Sequence, residues 1–519
     1  MRHPAVIMAL LVMGLAGCSE PEVPKSKTIG WFEGDVEAAF AQAKTESKPL
    51  FLYWGAVWCP PCQEIKHTVF KSRRFIEQTD SFIAVYLDGD TESAQTAGER
   101  FGVKGYPTMI VFNSVGTEIT RIPGGIDISR YNEILASALS SITPTRELVV
   151  ALSDDPGSLT EPQLKQLAYY SWGQDHDALP DDYSPQLFLT ASQLAKDEVS
   201  ASRLYMQYLY QVSTSIEQVK DKEGEKQEAN EDLSPKPIDG ALVMLNKILA
   251  SKILVLANWD SLAYYAADLA PLAGGDQELK ELKTKWQSAI NDARGDPSLS
   301  VAEQLAGLIP TIEFYFEDDA HTQLPKNLID VVQEATQRAD TATQNSFARQ
   351  SVVNQISGIL QEARMLEEAK ALLTAELDRS SSPYYFMSSL SAIAEKEKDF
   401  ATALAWQQKA FETAEGGATR FQWGANYVRA LVRMTPEDET TISRVAMSLF
   451  TEMESASELF AGRNFRTLQS LNRNLHEWHK DRGKNLLTSF DAAITQRCNA
   501  LERDSTALKN CKSLPGADR

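Results

Sequence analysis

The chain has 519 residues, enough for two to four domains of about 150 residues each. Of these residues 43% are hydrophobic, 24% charged and 9% aromatic, a globular composition that excludes wholesale disorder, collagen-like repeats and a multi-span membrane protein. Asp and Glu (71) outnumber Lys and Arg (51), and the formal charge of -20 would repel nucleic acids and anionic membrane surfaces.

The first predicted element is a short apolar run over residues 5–17. It is shorter than the ~20 residues needed to cross a bilayer, which is typical of a signal-peptide core. The run ends in Leu-Ala-Gly-Cys-Ser, which resembles the lipobox of bacterial lipoproteins. This resemblance implies removal of residues 1–17 and lipidation of Cys18. The alternative is an ordinary signal peptide cleaved nearby, with Cys18 unmodified.

Residues 18–27 are polar and contain proline, so we expect a tether. A lipidated Cys18 would anchor the protein to a membrane of the bacterial cell envelope, facing the periplasm. Ser19 in the next position resembles the signal for outer-membrane rather than inner-membrane sorting. Export also places the remaining thiols in an oxidising compartment.

Residues 28–142 mix predicted helices with predicted strands. The apolar run at 50–54 is uninterrupted, as in a central strand that is covered on both faces. Helical spacing and apolar runs predict further helices over 35–48, 92–101 and 128–142, and further strands over 82–87, 109–112 and 117–122.

The sequence Trp-Cys-Pro-Pro-Cys at 58–62 lies between the first strand and a predicted helix. Unpaired N–H groups and the dipole at a helix N-terminus lower the pKa of a thiol, which makes it reactive. The two prolines stiffen the turn and are compatible with a first helical turn. The spacing lets Cys62 attack a mixed disulfide on Cys59, so we predict a dithiol redox site. Half of a zinc site is the competing interpretation, but the sequence offers no second Cys-x-x-Cys and no metal is expected.

This order of elements, the paired cysteines and a later Gly-Tyr-Pro-Thr at 105–108 resemble the thioredoxin superfamily. The periplasmic thioredoxin-like domains of disulfide reductases are especially similar, through Lys-Pro at 48–49 and Val-Phe at 69–70. The resemblance implies a thioredoxin fold over residues 28–142, with Cys59 as the attacking thiol and Cys62 as the resolving thiol.

The same resemblance implies a substrate-binding surface beside the cysteines. Pro107 would be a cis proline facing the pair, and the backbone of Tyr106 would pair with an extended substrate segment. Trp58 would form the apolar lip of the site; a buried core tryptophan is the alternative.

One departure from thioredoxin concerns proton transfer. Tyr53 occupies the position of the buried acid that assists proton movement in thioredoxin, so we expect slow proton relay. Glu64, on the helix after the motif, is a possible substitute. The alternative is that Glu64 is an ordinary exposed glutamate on a helix surface.

Residues 143–519 lose the β-branched runs and predict an all-α region. A charged stretch at about 215–238 predicts a mobile acidic loop. Residues of about 350–417 show a 34-residue period, with Leu366 matching Phe400 and Ala369 matching Ala403. This period resembles the tetratricopeptide repeat. Such an array offers a surface for a protein partner, although its aromatic side chains are more often core: Tyr384, Tyr385, Phe386, Trp406, Phe421 and Trp423.

Two further patterns involve cysteine and histidine. Cys498 and Cys511 would form a local structural disulfide worth ~3 kcal/mol, or else a second redox pair. His321 beside Asp318 and Asp319, and His476 with His479, suggest metal only weakly and are read as solvated faces.

The sequence therefore predicts an exported, membrane-anchored thiol-disulfide oxidoreductase that needs neither metal nor organic cofactor. Its expected partners are protein thiols and disulfides, an upstream electron donor or acceptor in the membrane, and a protein on the helical region, but no nucleic acid. The alternative is a non-catalytic helical adaptor or chaperone whose thioredoxin-like domain only binds peptides.

Overall fold

The computed structural model describes residues 28–124, 128–141, 143–180, 183–224, 236–317, 321–453, 455–480, 482 and 487–516. The predicted signal peptide, Cys18 and the tether lie outside these residues. An N-terminal α/β unit is followed by a large all-helical region, and the predicted fold class is confirmed.

The α/β unit is built on a four-stranded mixed sheet. Its order is β2-β1-β3-β4, with β1 parallel to β2 and antiparallel to β3, and with β3 antiparallel to β4. Every residue of β1 is buried, as its uninterrupted apolar run predicts for a central strand. The strands are β1 (Leu50–Gly55), β2 (Ile83–Asp88), β3 (Thr108–Phe112) and β4 (Glu118–Ile122).

Helices flank this sheet near the positions that the apolar spacing predicts. The first begins after Asp35, whose carboxylate accepts a hydrogen bond from Ala38 N at 2.7 Å. It ends at Ser47, in the left-handed region, just before β1. The helices are α1 (Val36–Glu46), α2 (Pro60–His67), α3 (Arg73–Gln78), α4 (Glu92–Arg100) and α5 (Ile128–Ser140), with 3-10 turns at Val69–Lys71 and Thr79–Ser81.

After β4 the described part of the chain contains helices and no further strand. The first half comprises α6 (Thr145–Asp154), α7 (Glu161–Ala168), α8 (Gln186–Leu194), α9 (Glu198–Gly224), α10 (Ala241–Leu249), α11 (Lys252–Ala257), α12 (Trp259–Tyr264), α13 (Ala266–Leu269), α14 (Asp276–Ala293), α15 (Val301–Ala306) and α16 (Ile309–Phe316). The second half comprises α17 (Lys326–Ala342), α18 (Ser346–Glu362), α19 (Leu366–Glu376), α20 (Pro383–Lys396), α21 (Phe400–Thr413), α22 (Gly417–Met434), α23 (Glu439–Ser448), α24 (Ala456–Leu459), α25 (Gly462–His479), α26 (Thr488–Cys498) and α27 (Thr506–Lys512). Short 3-10 turns lie at Pro156–Ser158, Trp172–Gln174, His176–Ala178, Ala270–Leu272 and Leu449–Thr451.

The repeat-like segment forms antiparallel helix pairs, α18 with α19 and α20 with α21. Ala369 and Ala403 are completely buried, so small side chains stand where the helices approach closely. The turns between the helices repeat as well: Arg364 and Lys398, 34 residues apart, both adopt left-handed backbone conformations. The 34-residue period therefore applies to the turns as well as to the buried alanines. Phe400, which the period matches with Leu366, is 43% exposed and contributes little to this packing.

The α/β unit and the helical region share one apolar core. Phe51 and Tyr131 of the α/β unit belong to the same buried cluster as Leu148 and Leu167 of α6 and α7. Thr145 Oγ1 also donates to the carbonyl oxygen of Ile119 in β4 at 3.1 Å. The boundary near residue 142 thus separates two kinds of secondary structure, while the packing continues across it.

The charged stretch that was predicted to form an acidic loop is helical where it begins. Helix α9 continues to Gly224, so the first part of the stretch predicted as a loop over 215–238 extends a long helix. Residues 225–235 lie outside the described residues.

Candidate redox site

The two paired cysteines lie at the junction of β1 and α2, as the sequence predicts. Cys59 is the N-cap residue of α2 and Cys62 lies in its first turn. Their sulfur atoms are joined in a disulfide, with Cα atoms 5.2 Å apart. Cys59 Sγ accepts a hydrogen bond from the backbone N–H of Cys62 at 3.2 Å, in the place of an ordinary N-cap oxygen. After reduction this N–H would donate to a thiolate on Cys59 and stabilise it.

A second loop brings Tyr106 and Pro107 to the same side of the domain. The peptide bond between them is cis. The Tyr106 ring lies 6.3 Å from the ring of Trp58, at a steep angle. Its hydroxyl donates to Gly89 O and accepts from Gln95 Nε2, both at 3.2 Å, so the side chain is held against the loop after β2.

Tyr53 lies beneath the motif in an apolar environment. Its side chain is completely buried, and its hydroxyl donates to the carbonyl oxygen of Cys62 at 3.3 Å. The rings of Phe70 and Tyr86 pack against it at 4.9 and 5.5 Å. Burial, together with the nearby Tyr86 and Asp88, raises the pKa of Tyr53 well above its ordinary value. Tyr53 therefore offers no base at neutral pH.

Glu64 departs from the expectation of an exposed helix residue. Its carboxylate accepts hydrogen bonds from the hydroxyls of Ser300 and Ser351, the latter at 3.0 Å, and both serines belong to the helical region. Burial raises the pKa of Glu64, while the two serine hydrogen bonds act in the opposite direction. The interpretation as an exposed glutamate is wrong because the helical region packs on this face of α2. As a proton relay Glu64 stays a prediction, but both its oxygens are engaged by these serines.

The cysteines are covered by side chains of the helical region. Cys59 is 3% exposed and Cys62 is completely buried. Three aromatic side chains, which we call the aromatic cover, lie over the motif: Tyr384, Tyr385 and Trp423. The ring of Tyr385 stacks on Trp58, with centroids 6.4 Å apart. These aromatics are core residues, and the core to which they belong lies between the two regions.

Trp58 is 8% exposed, and its side chain is held by charged groups from both regions. Its Nε1 donates to Asp90 Oδ2 at 2.9 Å, and Asp90 Oδ1 accepts from Arg463 Nη2 at 2.8 Å. The Arg463 guanidinium lies 5.3 Å from the Trp58 ring and 5.4 Å from the Tyr106 ring. The surface that the resemblance assigns to substrate is therefore contacted by an arginine of α25.

The sequence analysis missed several of these residues, for different reasons. Asp90 follows β2, whose carboxyl end lies beside that of its parallel neighbour β1. Carboxyl ends of neighbouring parallel strands converge at one edge, so the acidic loop at 88–90 carried a usable signal. Arg463 and Gln350, which donates to Trp58 O at 3.4 Å, lie on helices hundreds of residues away and carried none.

The C-terminal cysteines form a second disulfide. Cys498 is the last residue of α26, and Cys511 lies in the last turn of α27. Their sulfurs are bonded to each other, so each of the two pairs is closed within itself. Both residues belong to the apolar cluster of the C-terminal helices.

Three of the histidines have partners within the protein. His67 Nδ1 lies 2.7 Å from Gln63 O, His476 Nε2 lies 3.1 Å from Asp491, and His321 stacks on Tyr315. Asp318 and Asp319 lie outside the described residues. Among the residues that the structure does describe, no three His, Cys, Asp or Glu side chains group as metal ligands would. No helix in this described part has the length and apolar character needed to cross a membrane.

Comparison with known proteins places the α/β unit in a family. Residues 36–139 match the model of a thioredoxin-like domain. The thiol:disulfide interchange protein DsbD of Yersinia pestis is 31% identical over 100 residues, which is 18% of this chain and 16% of that protein. The protein of the same name from Photorhabdus laumondii is 30% identical over 92 residues, covering 17% and 16%. The chain thus spans only about a sixth of the length of these relatives.

Proposed function

We propose that this chain, whose residues 36–139 form a thioredoxin-like domain, is a thiol-disulfide oxidoreductase acting on proteins through Cys59 and Cys62. One observation carries the proposal: Cys59 caps a helix N-terminus and its sulfur accepts the N–H of Cys62. This arrangement stabilises the thiolate that attacks, and it places the second sulfur within bonding reach of the first.

The proposed reaction is a two-step exchange. In the reduced protein the Cys59 thiolate attacks a substrate disulfide, forms a mixed disulfide and releases one substrate thiolate. Cys62 then loses its proton and attacks Cys59 Sγ, which breaks the mixed disulfide and releases the second substrate thiolate. The substrate gains two electrons and the protein is left with the Cys59–Cys62 disulfide. The reverse sequence oxidises a substrate dithiol.

Turnover in the reducing direction needs a dithiol donor to reduce Cys59–Cys62 again. We propose a membrane-held protein dithiol for this role. The relatives that match the domain are named as interchange proteins, and a donor of that chemical class can exchange disulfides with the motif directly.

We further propose that lipidated Cys18 holds the protein on the periplasmic face of an envelope membrane, with the outer membrane favoured by Ser19. The apolar run and the small residues before Cys18 support this. Incorporation of labelled fatty acid into the parent, but not into Cys18→Ala, is the expected result. Labelling of both proteins, or of neither, would contradict it.

A non-catalytic, peptide-binding adaptor is the second candidate. The apolar surroundings of Tyr53 and the 3% exposure of Cys59 favour it. In this case the α/β unit would serve as a folded platform for the helical region, and the disulfide would be structural.

The two candidates differ in a turnover assay. The full chain is mixed with a peptide disulfide and excess dithiothreitol, and release of peptide thiol is compared with that for Cys59→Ser and with reagent alone. An oxidoreductase accelerates release, whereas Cys59→Ser stays at the reagent rate. Equal rates for parent and Cys59→Ser, both in the full chain and in a variant in which Cys59 is uncovered, would leave the adaptor as the function.

A further inference from the structure

The dithiol motif is enclosed on the side from which a substrate must come. A thiolate attacks a disulfide sulfur by direct contact, and the exposed member of the pair should be Cys59. In the structure Cys59 is 3% exposed, beneath the aromatic cover of Tyr384, Tyr385 and Trp423. No polypeptide segment reaches this sulfur while the aromatic cover is in place.

On one flank, helix α18 packs along α2 and fastens it. Ser351 Oγ donates to Glu64 Oε2 at 3.0 Å, and Gln350 Nε2 donates to the carbonyl oxygen of Trp58 at 3.4 Å. The ring of Phe347 stacks on His67 at 6.1 Å. These contacts run from the first residue of the motif to the last residue of α2.

On the other flank, the start of α25 is fastened to α4. The N–H of Arg463 donates to Gln95 Oε1 at 2.8 Å, and that of Gly462 donates to Glu99 Oε2 at 2.9 Å. Gly462 has a φ of +51°, and a Cβ there would lie 2.8 Å from Gln95 O. The backbone of Gly462 therefore approaches the backbone of Gln95 to a distance that only glycine permits, and the Arg463 side chain is brought over Trp58.

The contacts over the motif differ from those behind the sheet. Behind the sheet, the two regions share a continuous apolar core that includes Phe51 and Leu148. Over the motif, two polar flanks border a small aromatic patch. Arg463 is incompletely satisfied there, because its Nε and Nη1 have no hydrogen-bond partner. Separating the two regions over the motif therefore costs less free energy than separating them behind the sheet.

We propose that the helical region is an autoinhibitory cap, and that Cys59 reacts only when α18, the aromatic cover and the start of α25 move away from the motif. This inference rests on the proposed function and adds its regulation. Reactivity then equals the intrinsic reactivity of Cys59 multiplied by the fraction of open molecules. The surface that holds Trp58 and Tyr106 in the closed protein is the surface that an extended substrate segment replaces.

Alkylation of the reduced full chain tests this without relying on enzymatic activity. Ser351→Asp sets a second carboxylate against Glu64, and Arg463→Glu sets one against Asp90. Each should weaken one flank and raise the rate at which iodoacetamide labels Cys59, read by peptide mass spectrometry, by about tenfold or more. Matched controls carry the same change at exposed positions of the same helices: Ser346→Asp on α18 and Arg473→Glu on α25.

The control variants should stay within about twofold of the parent rate. Circular dichroism melting reports whether each variant is folded, and the two flanks give independent variants should one of them unfold. Folded Ser351→Asp and Arg463→Glu that label Cys59 at the parent rate would overturn the cap. So would a parent in which Cys59 reacts as fast as in the chain unfolded in guanidinium chloride. Faster labelling without any peptide-disulfide turnover would support the cap and reject the oxidoreductase, so the two proposals fail separately.

Discussion

The two cysteine pairs are both buried and both oxidised, yet they lie at opposite ends of helices. Cys59 caps the N-terminus of α2, where backbone N–H groups and the positive end of the dipole favour a thiolate. Cys498 ends α26 and Cys511 lies in the last turn of α27, where the negative end disfavours one. The first pair is separated by 3 positions and the second by 13. Helix polarity and spacing therefore differ between the pair that we propose as reactive, Cys59 and Cys62, and the pair that we propose as structural, although burial does not.

Substituting one cysteine at a time should separate the two pairs most strongly. Cys59→Ser removes the attacking thiol and should lower peptide-disulfide exchange by at least about 10³-fold. Cys62→Ser removes the resolving thiol and should accumulate mixed disulfides, visible by non-reducing electrophoresis. The control is Cys498→Ser with Cys511→Ser, which should keep exchange within about twofold. Mixed disulfides trapped on Cys62 instead of Cys59 would reverse the assigned roles.

Removing the disulfide between Cys498 and Cys511 should lower the stability of the protein without lowering its rate of disulfide exchange. The loop that it closes is short, and the chain-entropy argument gives ~3 kcal/mol for a loop of about this length. We expect the Cys498→Ala and Cys511→Ala double variant to lose about this much free energy of unfolding in the C-terminal helices, measured by urea denaturation. A parent protein in which peptide mapping finds both thiols free, or either linked to Cys59 or Cys62, would refute the structural role.

Sequence reasoning identified the α/β unit well because its signals are local. The apolar run of β1, the paired cysteines and the proline at 107 each carry their meaning within a few residues. The 34-residue period likewise predicted helix pairs, and the same period recurs in the turns at Arg364 and Lys398. Short-range patterns were therefore sufficient for the elements and for the paired cysteines.

The enclosure of the site was not predictable in this way. Glu64 looks like a surface residue because its own helix is polar around it, and it is half-buried in the structure because Ser300 and Ser351 of the helical region contact it. Trp423 and Tyr385 were recognised as core candidates, but nothing local shows which core they join. Contacts between residues separated by 236 or 287 positions depend on how the two regions dock, and single-sequence patterns do not encode that.

A change at Tyr53 tests whether the apolar surroundings of Cys59 and Cys62 limit their rate of disulfide exchange. Both pairs have apolar neighbours, but only the first has to transfer protons during exchange. A buried carboxylate can supply general acid-base help worth ~10² to 10⁴-fold, and an un-ionised tyrosine cannot act as the base. A folded Tyr53→Asp variant should therefore exchange faster than the parent near neutral pH, by about tenfold after the cost of burying its charge.

Tyr53→Phe is the matched control, because it removes the hydrogen bond to Cys62 O without adding an acid. Stopped-flow exchange rates for both variants, in the parent and in the Ser351→Asp background, separate proton transfer from opening of the cap. If folded Tyr53→Asp is no faster than Tyr53→Phe between about pH 6 and pH 8, the proton-relay argument is wrong.

The smallest expected effect concerns Glu64, the titratable group that joins the reactive pair's helix to the helical region. Burial raises its pKa above the ordinary value of 4.5, so the folded protein holds this proton more tightly than the unfolded chain. A group of this kind lowers stability as pH rises from its unfolded pKa through its folded pKa, and the loss is complete above the latter.

The variant Glu64→Gln keeps the shape of this side chain and cannot ionise. Above about pH 4.5 we expect the free energy of unfolding of the variant to fall less with rising pH than that of the parent. The difference between the two should be roughly 1 kcal/mol or less, because the two serine hydrogen bonds already offset the effect of burial. Urea denaturation of both proteins across that range measures the difference, and Glu77→Gln, at an exposed glutamate of α3, is the control. Parallel pH profiles for parent and Glu64→Gln would mean that the Glu64 carboxylate keeps its ordinary pKa. The contact with Ser300 and Ser351 would then leave Glu64 as well solvated as a glutamate on an exposed helix.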